Sequence, residues 1–209
     1  MLTTLRDDKV YRQVMDELFH QEFDIKKLRS PDLQQKLSKA LEYRGLIVKE
    51  IEREEEPVLD DYLSNMAHGL EDWIAQIYRL AQGLDVYWHD PVIARDMETV
   101  PKELEEFKKL LTGEKEDSVR EELENTIAIK RSQWDTLKNL RETMAKAQLQ
   151  LESTLSAMST VYTQTVLLGA KDVHSSRAQR LQEDMKEQVS ALADISATMD
   201  EVYQMSGKR

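Results

Sequence analysis

Residues 59–87, LDDYLSNMAHGLEDWIAQIYRLAQGLDVY, decide the fold class of this chain. Leu59, Leu63, Met66, Leu70, Trp73, Ile77, Leu80, Leu84 and Tyr87 follow one another in alternating steps of four and three. That spacing returns every apolar side chain to one stripe of an α-helix, whereas a strand would alternate by two. Its 3.5-residue period is the one that helices packed lengthwise require. Ala67, Ile74, Ala81 and Trp88 add a second stripe beside the first at seven-residue intervals. The apolar face is then too broad for a single partner, so this helix is expected inside a bundle with at least two neighbours.

The sequence on either side has the same character. Leu, Glu, Lys, Gln, Ala and Met dominate, with only six glycines and four prolines among 209 residues. These are good helix formers, and the chain is predicted to be all-α. The few breakers fall where helix ends belong. Ser30-Pro31-Asp32 and Asp90-Pro91 each offer an N-cap side chain followed by proline at the first helical position. Proline's fixed φ suits that position and its missing N–H costs nothing there. Pro57 and Pro101 mark further starts or kinks, and Gly113 and Gly169 mark stops through glycine's left-handed conformation. The expected helices are roughly 5–28, 31–54, 57–89, 91–112, 117–168 and 173–205.

No proline or glycine interrupts Lys115 to Leu168, so one helix of about 50 residues, ~75 Å long, is expected there. Its first half carries a thin stripe, Val119, Leu123, Ile127 and Trp134. From Leu137 two stripes run together: Leu137, Met144, Leu151, Leu155, Met158 and Tyr162 beside Leu140, Ala147, Val161 and Leu168. More helices should therefore cover the second half than the first. Ala178, Leu181, Met185, Gln188, Leu192, Ile195, Met199 and Val202 form another seam with one polar member. The expected architecture is an elongated bundle of long antiparallel, coiled-coil-like hairpins, one turning near Gly169 and one near Pro57. Residues 1–112 would supply about four helices and 113–209 the long C-terminal hairpin, packed together as one unit. The likeness between Leu155–Tyr162 and Ile195–Tyr203 needs an inserted residue and is too weak for a repeat.

Composition narrows the function. Forty acidic against twenty-nine basic residues give a net charge of −11, which repels nucleic acid and anionic lipid at long range. With no cysteine, disulfides, thiolate metal sites and cysteine nucleophiles are all excluded. The first residues have no signal-peptide run, and the apolar stretch Val161–Ala170 is broken by Thr163, Gln164 and Thr165, so a cytoplasmic protein without a span is expected.

Candidate chemistry is sparse. Glu17 and His20 stand at i, i+3, the spacing that presents two ligands to one metal in di-iron bundles, but no second copy exists. The acidic run Glu50, Glu52, Glu54, Glu55, Glu56, Asp60 and Asp61 lacks the glycine turn of a calcium loop and reads as a solvated helix end. His89 and Asp90 adjoin Tyr87 and Trp88, yet helical neighbours do not face each other, and Asp90 is already explained as a cap. The chain has no glycine-flanked nucleophile, phosphate-cradling loop or dinucleotide fingerprint.

The reading that remains is a non-catalytic structural or interaction protein. It would self-associate, or bind another helical protein, through apolar seams, with no cofactor, metal, nucleic acid or small-molecule substrate. The candidate contact residues are Val119, Leu123, Ile127 and Trp134 on the thin stripe, and Leu181, Met185, Leu192, Ile195 and Met199 on the last seam. Trp134 is an amphipathic ring on a sparsely apolar face, suited to an interface, to its own neighbouring helix or to Lys130. The alternative is a membrane-surface scaffold. A short N-terminal amphipathic helix (Tyr11, Val14, Met15, Leu18, Phe19) ahead of long hairpins resembles, in outline, phage-shock and related membrane-remodelling scaffolds. Asp7, Asp8, Asp16, Glu17 and Glu22 on that helix oppose anionic lipid. A metal- or ligand-binding bundle is the third reading.

Overall fold

The computed structural model describes residues 23–51, 53, 60–168 and 175–207. Among them the chain is all-α: a 3₁₀ turn at Ile25–Lys27, then α1 (Pro31–Ile51), α2 (Asp60–Trp88), α3 (Pro91–Gly113), α4 (Asp117–Leu168) and α5 (Ser175–Gly207). No helix among the described residues is long and apolar enough to cross a membrane.

Helix starts follow the expected capping. The Ser30 hydroxyl accepts from Leu33 N at 3.4 Å, and the Ser30 carbonyl accepts the first intrahelical bond, from Gln34 N. Asp90 accepts from Val92 N and Ile93 N at 2.8 and 3.1 Å, with Pro91 in the first turn of α3. Three expectations change. The segment expected as helix to residue 28 is not α-helical from Phe23 onward, because Asp24 caps a 3₁₀ turn that Leu28 closes. Pro101 neither starts nor breaks a helix: it lies inside α3, which Asp90 has already started. Gly113 ends α3 without a left-handed residue. Extended Glu114 turns the chain instead, and the Arg120 guanidinium donates to the Leu111 and Glu114 carbonyl oxygens, supplying partners that a glycine cap would otherwise provide. Pro57, Gly169 and most of the acidic run lie outside the described residues, although Glu50 is paired with Arg53 at 2.6 Å.

The core is a four-helix arrangement. α1 packs on α2 and α4, and α5 packs on α2 and α4, with α2 and α4 also meeting across the middle. The wide face read from residues 59–87 is its centre. Met66, Leu70, Trp73, Ile74, Ile77, Leu80 and Leu84 are fully buried, whereas Leu59 and the Leu63 side chain lie outside the described residues. Both stripes of the second half of α4 are buried from Leu137 to Val161. Gly69 and Gly83 let α2 and α5 approach closely: a Cβ there would lie 3.4 Å from the Met185 ε-methyl and 2.9 Å from that of Met199. Both pairs are 116 residues apart, so α2 and α5 run in the same direction in register.

α4 has 52 residues and a length of ~78 Å. Its second half is the fourth member of the bundle, and its first half pairs with α3. Among the described residues the α3–α4 hairpin therefore extends past the end of α5 as an arm of two helices.

Candidate interaction surface

The arm is held by a seam along α3 that repeats the four-three spacing of α2. Ile93, Met97, Val100, Leu104, Phe107 and Leu111 face α4. Gln133 of α4 reaches Asp96 at 3.4 Å, and Lys130 is ion-paired with Glu103, so the helices run antiparallel with Trp134 level with Met97 and Leu123 level with Phe107. Ile93, Val100 and Leu104 are buried, but Phe107 and Leu111, nearer the turn, are only half-buried. Two helices cannot enclose a seam as four do, and the loss of cover toward the tip reflects that.

This placement sorts the contact residues expected from sequence. Leu123, Ile127 and Trp134 face α3 and are half-buried, with Trp134 packed against the core, while Val119 stays 38% exposed on the flank. Lys130 turns to Glu103. Leu181, Met185, Leu192 and Met199 are buried inside the bundle and Ile195 packs against it, so the last seam is used up within the chain. Along α3 and the first half of α4 the large exposed apolar side chains are Val92, Leu110, Val119 and Ile129, the last at 65%, and on the bundle Leu149 is 69% exposed. Where α5 runs out beside α4, a groove of about 550 Å³ opens, lined by Ala128, Arg131, Ser132, Asp135, Thr136, Asn139 and Val202.

Two acidic anchors, neither visible as such in sequence, fix the bundle end from which the arm emerges. Asp85 of α2 is 4% exposed and accepts from Ser30 N at 2.7 Å and from Arg29 N at 3.0 Å. It thus fastens the entry to α1, and Phe23 and Leu28 bury nearby while the Phe23 ring meets Tyr78 edge-on. His89 Nδ1 lies 2.8 Å from the Asp85 carbonyl oxygen and 3.5 Å from its carboxylate. The His–Asp proximity in the fold is thus with Asp85, one turn back, and not with Asp90. Because backbone N–H groups occupy the Asp85 carboxylate, the arrangement serves to position a segment.

Asp90 is the second anchor. Its carboxylate also accepts from the Tyr203 hydroxyl at 2.7 Å, joining the start of α3 to the end of α5. Partial burial disfavours ionisation of Asp90, but the Tyr203 hydroxyl and the two backbone N–H groups outweigh it and hold the carboxyl below the ordinary carboxylate range. The same hydrogen bond, with burial, raises the Tyr203 hydroxyl above its ordinary value. No group of three or more His, Asp or Glu side chains placed to hold a metal ion occurs among the described residues, and Glu17 and His20 lie outside them.

Comparison with protein-family models, with curated proteins and with solved structures gives no match to this chain.

Proposed function

We propose that this is a non-catalytic helical interaction protein, acting through an elongated, coiled-coil-like arm that associates with a second copy or with another helical protein. The observation that carries the reading is the uneven cover of α4. From Leu137 to Val161 its two apolar stripes are buried by three helices, and only Leu149 turns out, at 69%, whereas Leu123 and Ile127 are half-buried against one helix, with Ile129 and Val119 exposed on the same segment. A helical surface with apolar side chains on a two-helix arm gains by being covered, and another helix is the natural cover.

Size-exclusion chromatography with light scattering on the full chain tests this. A mass rising above 24.4 kDa with concentration, or a stable complex with a defined helical partner, supports it. A monomer that binds no helical partner, unchanged when Leu110 and Ile129 are replaced by Glu, removes it. The membrane-surface alternative rests on residues 5–22, which lie outside the described residues.

A further inference from the structure

One face of α4 in the arm carries a charge order that decides what it can pair with. Asp117, Glu124, Arg131 and Lys138 are spaced seven residues apart, and Glu121, Ala128 and Asp135 fall between them in steps of four and three. All seven are exposed. They form one stripe on the side of α4 turned away from the α3 seam, acidic toward the arm's tip and basic toward the bundle. Within the described residues Arg131 makes no ion pair, while Glu124 has only a long contact with Arg120, at 4.0 Å. Lys138 holds Asp135 at 2.8 Å.

Among closed two-fold pairings this order is complementary to itself in one direction only. Laid antiparallel about the point between Ile127 and Ala128, two copies of α4 bring Glu124 opposite Arg131 and Asp117 opposite Lys138, each pair occurring twice by symmetry, while Glu121 comes beside an Asp135 whose charge Lys138 offsets. Laid parallel, they place like charge beside like charge at all four positions, which is unfavourable. The 550 Å³ groove lies on the same side, lined by Ala128, Arg131 and Asp135 of the stripe, and the small Ala128 side chain lets a second helix approach. In the antiparallel register the first turns of the partner's α4, from Asp117 to Glu124, are level with residues 131–138 and so lie over it. The same register puts the two bundles at opposite ends of the paired arms, which limits repulsion between chains that each carry −11.

We infer that two copies of this chain associate antiparallel through this face of α4, the acidic tip of each arm seated in the groove against Arg131 of the other. The inference rests on the self-association reading above and gives it an orientation and a register. The helical contact is small and its centre is polar, so the dimer is a weak one, in the micromolar range.

Sedimentation equilibrium on the full chain tests it, with the variants Arg131→Glu and Glu124→Arg. Both positions are exposed, so both variants are expected to fold, as circular dichroism would verify. Each alone places two like-charged pairs in the homodimer and should raise Kd at least tenfold. Mixed one to one, the variants restore opposite charge at both contacts, and the heterodimer should recover wild-type affinity within about threefold. A wild-type dimer that either variant leaves intact, or a mixture that does not recover, overturns the antiparallel register while leaving self-association standing. A wild type that remains monomeric up to the solubility limit overturns the self-association reading itself.

Discussion

Replacing Asp85 by Ala should loosen the entry to α1 and cost about 3 kcal/mol. The carboxylate, 4% exposed, accepts from Ser30 N at 2.7 Å and from Arg29 N at 3.0 Å, across 55 and 56 residues of sequence. A hydrogen bond to a charged acceptor contributes roughly 1.5–3 kcal/mol, and a buried donor left unpaired forfeits its full solvation. Ser30 is buried, so its bond counts at about 2.5 kcal/mol; Arg29 is exposed and its N–H can turn to water, so it counts at about 1. Alanine's better helix propensity returns about 0.5 kcal/mol. In a chain of this size the net loss corresponds to a melting temperature lower by about 6–12 °C. Asp85→Asn keeps one oxygen for Ser30 N and should lose about half as much. Thermal and urea unfolding measure the total, and amide hydrogen exchange at Arg29 and Ser30 locates it. An alanine variant within about 0.5 kcal/mol of wild type, with exchange at those two amides unchanged, would refute this account of the anchor.

Tyr203→Phe removes the hydroxyl bonded to Asp90 and should cost about 1 kcal/mol near neutral pH. Because the folded Asp90 carboxyl is held below its unfolded value, its contribution is present above about pH 4 and is lost as the pH falls through the lowered folded value. The gap between variant and wild type in a pH series of urea unfolding should therefore be widest near neutrality and narrow in acid. Gly45→Ala, with nothing within 4 Å of the added methyl, should stabilise α1 by about 1 kcal/mol. Gly83→Ala should gain less, since the Met199 methyl must move from 2.9 Å; calorimetry on the pair checks the order. Leu80→Ala, at a fully buried position of α2, should cost about 3 kcal/mol. Ile129→Ala on the arm should stay within about 0.5 kcal/mol of wild type, as unfolding measurements would report.

Much of this architecture is legible in the sequence because helix packing writes itself in short-range spacing. The Leu59–Tyr87 stripe indicates a multiply covered helix, and the change from one stripe to two at Leu137 in α4 marks where the bundle begins. Ser30 and Asp90 announce their helices by local capping chemistry. The α3 seam from Ile93 to Leu111 has equally regular spacing and could have been found the same way. It explains why Leu123, Ile127 and Trp134 are half-covered already. The charge order at 117, 124, 131 and 138 is also present in sequence, but its significance depends on knowing that this side of α4 is turned away from α3 and meets the bundle only beside Val202. Asp85 has no local signal: its partners are more than fifty residues away, and a single Asp near a helix end reads as solvated. Likewise, a seam such as Leu181–Met199 specifies a helical neighbour without saying whose, and here the neighbours come from the same chain.

The central claim is that α4 is one helix, enclosed by the bundle along its second half and covered along its first, among the described residues, by α3 alone, where we propose that copies associate. Amide hydrogen exchange along α4, measured across a range of protein concentration, tests it most directly. The account predicts strong protection from Leu137 to Val161 at every concentration, and weak protection from Val119 to Ile127 that rises as copies associate. Equal protection of both halves, unaffected by concentration, would contradict it.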